Sequence, residues 1–252
     1  MSILVTSVGD APEVDYWVGL LEDRGVDVVR LDVTDWPGAT LSWSPDDEHV
    51  ALGDRIEWDR VDGAYVHPKS LFRSYSFGTF FDLDEGDDVL PAIHCLRDHR
   101  TVFESLFRTL ESKDVDVLPR PRLHRLQMRK PWQLQQFEER GLPVPDTVFT
   151  NDPERVRAFR DDHDRTVYKP TTFGPPAREL TEEQLTDERL EKLANAPIQL
   201  QEFVPGEDVR VYVLDGEVVG AIRYESESYS FKLDRANDRD VGVEPATVSP
   251  EI

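Results

Sequence analysis

The first thirty residues constrain the fold most. Ile3-Leu4-Val5-Thr6-Ser7-Val8 is an apolar run that stops at Gly9-Asp10. Val14, Trp17, Val18 and Leu21 follow at helical spacing with Gly25 as a stop, and Val26-Asp27-Val28-Val29-Arg30-Leu31 is a second strand-like run. A helix crossing between two strands returns the chain in the same direction, so this βαβ pattern predicts a parallel sheet covered by helices. Gly9 stands alone, without the GxGxxG spacing that brings backbone close to a pyrophosphate, so a dinucleotide site is not expected there.

Residues 38–62 read as short edge strands around Pro45-Asp46-Asp47, and Ala64-Tyr65-Val66-His67 as another short strand. Residues 68–91 are aromatic, acidic and glycine-containing, and read as a surface connection. Its aromatics Phe72, Tyr75, Phe77, Phe80 and Phe81 suit either a substrate or partner surface or the cover of a loop. Ile93, Leu96, Arg100, Phe103, Leu106, Phe107 and Leu110 share one helical face, which predicts a helix over 92–112. A strand, Val115–Leu118, ends at Pro119, and Pro119-Arg120-Pro121-Arg122 is the best linker candidate. Beyond it, a helix over 129–140 carries Pro131 in its first turn, faces Leu134 and Phe137 inward and ends at Gly141. Leu142-Pro143-Val144-Pro145-Asp146-Thr147-Val148-Phe149 is a proline-punctuated entry to a strand and Thr166–Pro170 a buried strand, with a helix start at Thr150-Asn151-Asp152-Pro153-Glu154 between them. Residues 197–204 form another strand. Asp208–Leu214 and Glu217–Tyr224 meet at Asp215-Gly216, a type I′ hairpin signal.

At 252 residues the chain is long enough for roughly 1.7 average domains, and it can bury a core without covalent staples. Its single cysteine, Cys95, excludes an internal disulfide or a cysteine-based zinc site, and reads as a core or half-buried thiol. The six histidines show no HxxxH or HxH spacing, so no metal ligands are expected. No run of 18 apolar residues spans a membrane, and MSILVTSVGD lacks the basic start of a signal peptide; a soluble, cytoplasmic protein is the default. Lys+Arg number 29 and Asp+Glu 51, for a net charge of −22. Such a surface repels nucleic acid and anionic lipid. It suits an acidic partner-binding face or adaptation to high salt, and the even spread of acids along the chain favours the second. Only six of the basic residues are lysines (69, 113, 130, 169, 192 and 232), so a lysine at a motif position carries unusual weight.

Four features recur in order beyond residue 128. Lys130 opens a helix. Lys169 ends a strand and precedes the loop Pro170-Thr171-Thr172-Phe173-Gly174. Gln201-Glu202-Phe203-Val204 runs into Pro205-Gly206-Glu207-Asp208-Val209-Arg210, and the following hairpin carries Arg223. Together they outline a nucleotide cleft. Two ammonium groups hold phosphate oxygens as mobile point charges, a free backbone edge pairs with adenine, a carboxylate accepts ribose hydroxyls, and a guanidinium meets phosphate or carboxylate with two bonds.

Arg129-Lys130-Pro131-Trp132-Gln133-Leu134, Gly141-Leu142-Pro143-Val144-Pro145-Asp146-Thr147, Thr150–Glu154, Val167-Tyr168-Lys169-Pro170 and Gln201–Val211 occur in the order seen in ATP-grasp proteins. Over residues 129 to about 224 the chain resembles their branch of RimK-like ribosomal-protein glutamate ligases and peptide-macrocyclising (graspetide) ligases. The first 118 residues resemble the family's pre-ATP-grasp domain more loosely, through Arg30–Pro37. The resemblance implies an α/β (α+β) fold: a pre-ATP-grasp βαβ domain over 1–119, then an incomplete ATP-grasp fold over 120–252. It implies that Lys130 and Lys169 contact phosphate and adenine. Glu202, Phe203 and Val204 form the adenine-binding hinge with Gln201 beside it, and Asp208 binds the ribose. It further implies that Arg210 and Arg223 line the acyl-phosphate side, that Arg235 belongs to a phosphate-facing strand, and that Asn237 accompanies it.

The implied reaction is ATP-dependent activation of a carboxylate on a peptide, protein or amino acid. An amine or similar nucleophile then displaces phosphate to give an amide or ester. Magnesium is the expected helper, but the family's metal-binding acids, an Asp and a later Glu-x-Asn, have no counterpart after Arg235. A nucleotide-binding scaffold, a fragment of a ligase or a site completed by another chain is therefore the alternative, and a plain α/β interaction domain is a third. Gly174 is followed by Pro175-Pro176 rather than by more glycine, which argues against a phosphate-covering loop. ATP and an unidentified carboxylate and nucleophile are the expected partners, with a homo-oligomer left open. Repulsion among the acids also makes stability salt-dependent, because the Debye length shrinks to ~3 Å at 1 M salt. The melting temperature is expected to rise from dilute buffer into molar KCl; a flat or falling trend contradicts the salt-adaptation reading.

Overall fold

The computed structural model describes residues 1–7, 9, 11–32, 40–44, 49–52, 54–67, 88–124, 126, 129–172 and 174–249. The chain divides into two compact units, Met1–Arg125 and Leu126–Ile252. The aromatic run 72–81, the Pro45-Asp46-Asp47 turn and Phe173 lie outside the described residues.

The first unit begins with the expected βαβ crossover: β1 (Ser2–Ser7), α1 (Pro12–Glu22) and β2 (Asp27–Asp32), with the two strands parallel and Leu4 opposite Val29. Three short antiparallel strands follow, β3 (Leu41–Ser42), β4 (His49–Leu52) and β5 (Asp54–Glu57). The chain then returns as β6 (Gly63–Val66), α2 (Leu90–Ser112) and β7 (Asp116–Leu118). The main sheet has the order β2-β1-β6-β7 and is parallel throughout. Side chains alternate across it with period two. Leu4 and Ala64 face Phe103, Leu106, Phe107 and Leu110 of α2, whereas Val5 packs with Val14 and Val18 of α1. Apolar side chains on both faces explain why β1 reads as a continuous apolar run. Cys95 is exposed on α2, which corrects its reading as a core or half-buried thiol: it falls outside the stripe that Phe103, Leu106 and Leu110 bury.

The second unit opens with α3 (Lys130–Glu138). Phe137 is 37 % exposed, so it does not face inward as its helical position suggests, and no residue of this short helix is fully buried. Next come β8 (Thr147–Thr150), α4 (Pro153–Asp161), β9 (Thr166–Pro170), β10 (Arg178–Glu179), α5 (Asp187–Glu191) and β11 (Ile198–Glu202). Asp152 caps α4 by accepting a hydrogen bond from Glu154 N–H at 2.9 Å. The four strands form an antiparallel sheet ordered β10-β9-β11-β8. One face is apolar: Leu200, with Val148 and Tyr168 beside it, packs on Val156 and Phe159 of α4 and Leu190 of α5. Alternation therefore puts Lys169, Gln199 and Gln201 on the opposite face.

A second antiparallel sheet contains β12 (Asp208–Leu214), β13 (Glu217–Glu225) and, after α6 (Phe231–Ala236), β14 (Gly242–Pro245). Asp215 and Gly216 have φ of 52° and 83°, as the type I′ turn between β12 and β13 requires. Arg235 lies in the last turn of helix α6, not on a strand. Its run of polar neighbours conceals a short helix whose apolar anchor is Phe231, stacked on Tyr224 with ring centroids 3.9 Å apart.

Leu200 is fully buried at the centre of the apolar face. Leu200→Ala is expected to cost about 2–5 kcal/mol, read as a lower denaturant midpoint. A change below about 1 kcal/mol contradicts this packing.

Candidate functional site

The end of β9, the start of α3, the loop after β9, the strand β12, Tyr224 of β13 and the start of α6 enclose a cleft of about 860 Å³; Gln201, Glu202, Phe203 and Val204 do not line it. Lys130, Lys169, Asp208 and Arg210 all line it. Lys130 Nζ donates to the carbonyls of Pro170 at 3.0 Å and Thr172 at 2.5 Å, so the first residue of α3 holds the loop that follows β9. Lys169 Nζ donates to Gln201 Oε1 at 3.3 Å, and Gln201 Nε2 donates in turn to Thr147 Oγ1 at 3.0 Å. Directly across from Lys169 is Gln199. Its side chain is buried and its Oε1 accepts no hydrogen bond among the described residues.

A third ammonium joins them. Lys232, near the start of α6, lines the same cleft. Burial lowers the Lys169 pKa, and the charges of Lys130 and Lys232 lower it further. Burial followed by the Lys232 charge does the same to Lys130. None of the three forms an ion pair with a carboxylate among the described residues. In a chain of net charge −22, this is a local excess of positive charge that a polyanion would relieve. Lys232 was not among the candidates read from the sequence. The signal that could have found it is its rarity, one of six lysines, three of which converge here.

The loop after β9 lines the cleft through Thr172, Gly174, Pro175 and Pro176, despite its prolines. Gly174 has φ of 152°, and a Cβ there would lie 2.6 Å from Pro170 Cγ, so the turn requires glycine. Asp208 Oδ2 accepts from Phe231 N–H at 3.2 Å, so this carboxylate anchors the start of the helix that bears Lys232. Asp234, fully buried, accepts from Ser226 Oγ at 2.5 Å, from Ser228 N–H at 3.0 Å and from the Ser228 hydroxyl, and pairs with Arg239 at 3.3 Å. These bonds hold its carboxyl below the usual carboxylate range and tie the loop before α6 to the helix itself.

The three arginines read from the sequence separate here. Arg210 and Arg235 place their guanidinium groups 5.4 and 5.6 Å from the Tyr224 ring, so both gather at the aromatic pair bordering the cleft. Arg223 is one residue away on β13, pairs with Glu207 at 3.2 Å and Glu244 at 2.8 Å, and does not line the cleft. Asn237 donates to the Leu233 carbonyl at 2.9 Å and caps α6 rather than reaching the cleft. At the hinge, Glu202 N–H donates to Asp146 O at 2.9 Å and Phe203 N–H to Arg165 O at 3.0 Å. The Phe203 ring carries the Arg165 guanidinium at 3.7 Å. Val204 is exposed, and its N–H makes no hydrogen bond among the described residues.

A nucleoside polyphosphate fits this donor set, because crowded ammonium groups and an unbonded backbone N–H are what phosphates and a base edge would satisfy. Magnesium finds no ready-made set beside them. Among the described residues, one group of three side chains brings potential ligand atoms within 4.8 Å of one another, Asp146, His163 and Glu202, and none of these lines the cleft.

No protein-family model matches the chain, and no match to a curated protein was found. Solved structures do match. The ATP-grasp ligase PsnB complexed with minimal precursor is 28% identical, with a TM-score of 0.79 over 99% of this chain and 78% of that one. The same ligase complexed with a phosphomimetic variant of the minimal precursor, Mg and ADP is 28% identical, with a TM-score of 0.77 and the same coverage. The macrocyclase MdnC bound with precursor peptide MdnA, from Microcystis aeruginosa MRC, is 18% identical, with a TM-score of 0.75 over 99% of this chain and 79% of that one. Over nearly its whole length the chain therefore has the fold of the ATP-grasp ligases, and it resembles their RimK-like, graspetide-forming branch.

Proposed function

We propose that the protein is an ATP-dependent ligase that joins a carboxylate of a peptide to an amine or hydroxyl, giving an amide or ester. The observation that carries this reading is the convergence of Lys130, Lys169 and Lys232 on one cleft, with no carboxylate paired to any of them among the described residues. Bound ATP supplies the phosphoryl group that activates the carboxylate for attack. Lys169 and Lys232 neutralise phosphate charge, and Lys130 positions the β9 loop over the phosphates through its two carbonyl bonds. Val204, whose N–H alone of the three hinge residues is unbonded among the described residues, presents backbone to the adenine, with Glu202 and Phe203 holding the hinge through their bonds to Asp146 and Arg165 and Gln201 setting the direction of the Lys169 side chain. Asp208, with Oδ2 engaged by Phe231, offers Oδ1 to the ribose. Arg210 and Arg235 face the acyl side beside Tyr224. Arg223, bound to Glu207 and Glu244, braces the hairpin. A peptide as the carboxylate donor is supported by PsnB and MdnC, whose structures hold precursor peptides.

A second reading, nucleotide binding without turnover, is favoured by one observation: among the described residues, no group of three metal-ligating side chains lines the cleft. One experiment separates the readings. ADP release is followed in molar KCl with magnesium, ATP and carboxyl-bearing peptides, alongside the ATP-dependent rise in melting temperature. The ligase reading predicts peptide-dependent ADP release that falls on the order of a hundredfold in Lys169→Met. A rise in melting temperature with no ADP supports the second reading. ATP at about 100 times Kd adds about 2.7 kcal/mol of stability, so the absence of any rise contradicts both.

A further inference from the structure

A second group of side chains stands apart from the cleft. Asp146 precedes β8, His163 follows α4, and Glu202 ends β11; their potential ligand atoms lie within 4.8 Å of one another. His163 Nδ1 is 2.8 Å from the Phe159 carbonyl, which can only accept, so Nδ1 carries the ring proton and donates it. Its Nε2 lies 3.2 Å from Asp146 Oδ2, a second acceptor. A neutral imidazole has one N–H, already used, so the Nε2 lone pair faces a carboxylate. That contact needs positive charge between the two groups, supplied either by a second ring proton, as in an imidazolium–carboxylate pair, or by a metal ion. A ring N–H given to a backbone carbonyl is also what holds a metal-binding histidine in its ligating tautomer.

The surroundings fix this geometry and supply negative charge. The His163 ring stacks on Phe159, with centroids 4.3 Å apart, and its carbonyl accepts from Arg160 at 2.9 Å. Glu202 Oε1 accepts from Asp146 N–H at 2.9 Å, leaving Oε2 without a hydrogen bond among the described residues. The adjoining pocket, about 440 Å³, is also lined by Asp162 and Asp164. Arg165 in the same wall is neutralised by two bonds of 2.9 Å to Glu179.

We infer that Asp146, His163 and Glu202 form a site for a single divalent transition-metal ion of the zinc class. Imidazole nitrogen with two carboxylate oxygens suits such an ion, whereas magnesium prefers oxygen ligands alone. The ion would cross-link the chain before β8, the turn after α4 and the end of β11 that leads into Phe203. The site stands whether or not the cleft binds ATP.

The test is calorimetric titration of the full chain with zinc chloride in excess magnesium, which occupies scattered surface carboxylates. One zinc per chain is expected, together with a rise in melting temperature. In His163→Ala and in Asp146→Asn binding should weaken by about tenfold or more. Asp146 is exposed, so Asp146→Asn keeps the fold, as its zinc-free melting curve will show. No stoichiometric uptake by the unmodified chain, as for a bare imidazolium–carboxylate pair, overturns the proposal. So does zinc binding undiminished in both variants.

Discussion

Mutual repulsion among three ammonium groups is the constraint around which the second unit is arranged. Lys130 and Lys169 have lowered pKa values because burial and neighbouring lysines disfavour their charge. Left alone, such a cluster costs stability, since each charge loses solvation and gains a like-charged neighbour. Hydrogen bonds to backbone carbonyls and to side chains hold it in place. Lys130 is held by two carbonyls, Lys169 by Gln201, and the helix bearing Lys232 by the Asp208 and Asp234 carboxylates. A bound polyanion would offset that cost, and preorganised charge of this kind is what the proposed phosphoryl transfer needs.

The folding pattern explains how distant residues converge. Alternation along β9 and β11 sends Tyr168 and Leu200 into the apolar core, so Lys169, Gln199 and Gln201 must take the other face. Stability on one side of the sheet and chemistry on the other thus come from the same period of two. The Tyr224–Phe231 stack performs a similar task for α6, seating a short polar helix by one aromatic contact. Among the described residues no carboxylate forms an ion pair with Lys130, Lys169 or Lys232, although Asp208 shares their cleft, and the contrast between surface and cleft would draw phosphates inward.

Much of this was legible in the sequence. The β1–α1–β2 crossover announced the parallel sheet through apolar periodicity, and Asp215-Gly216 announced the hairpin through its turn chemistry. Lys130, Lys169, Asp208 and Arg210 were recognisable as a set from their motifs, and the structure brings them to one cleft. What escaped depends on contacts that local pattern does not encode. Arg235 read as a strand residue because its helix is seated by contacts distant in sequence, the Tyr224 ring and the Asp208 carboxylate. Phe137 repeats at helical spacing, yet α3 is too short to bury it. Cys95 lies on an amphipathic helix but off its buried stripe. Arg223 is one residue out of phase with Arg210, and a strand turns one residue into the opposite face. Asp146, His163 and Glu202 come from three separate connections, with no spacing to link them.

The most direct check is a crystal structure grown in high salt with a non-hydrolysable ATP analogue. The account places phosphate oxygens within hydrogen-bond distance, below about 3.2 Å, of at least two of the Lys130, Lys169 and Lys232 ammonium groups, with the base against the Val204 backbone. A nucleotide bound elsewhere, or the three ammonium groups turned to separate patches of solvent, would contradict it.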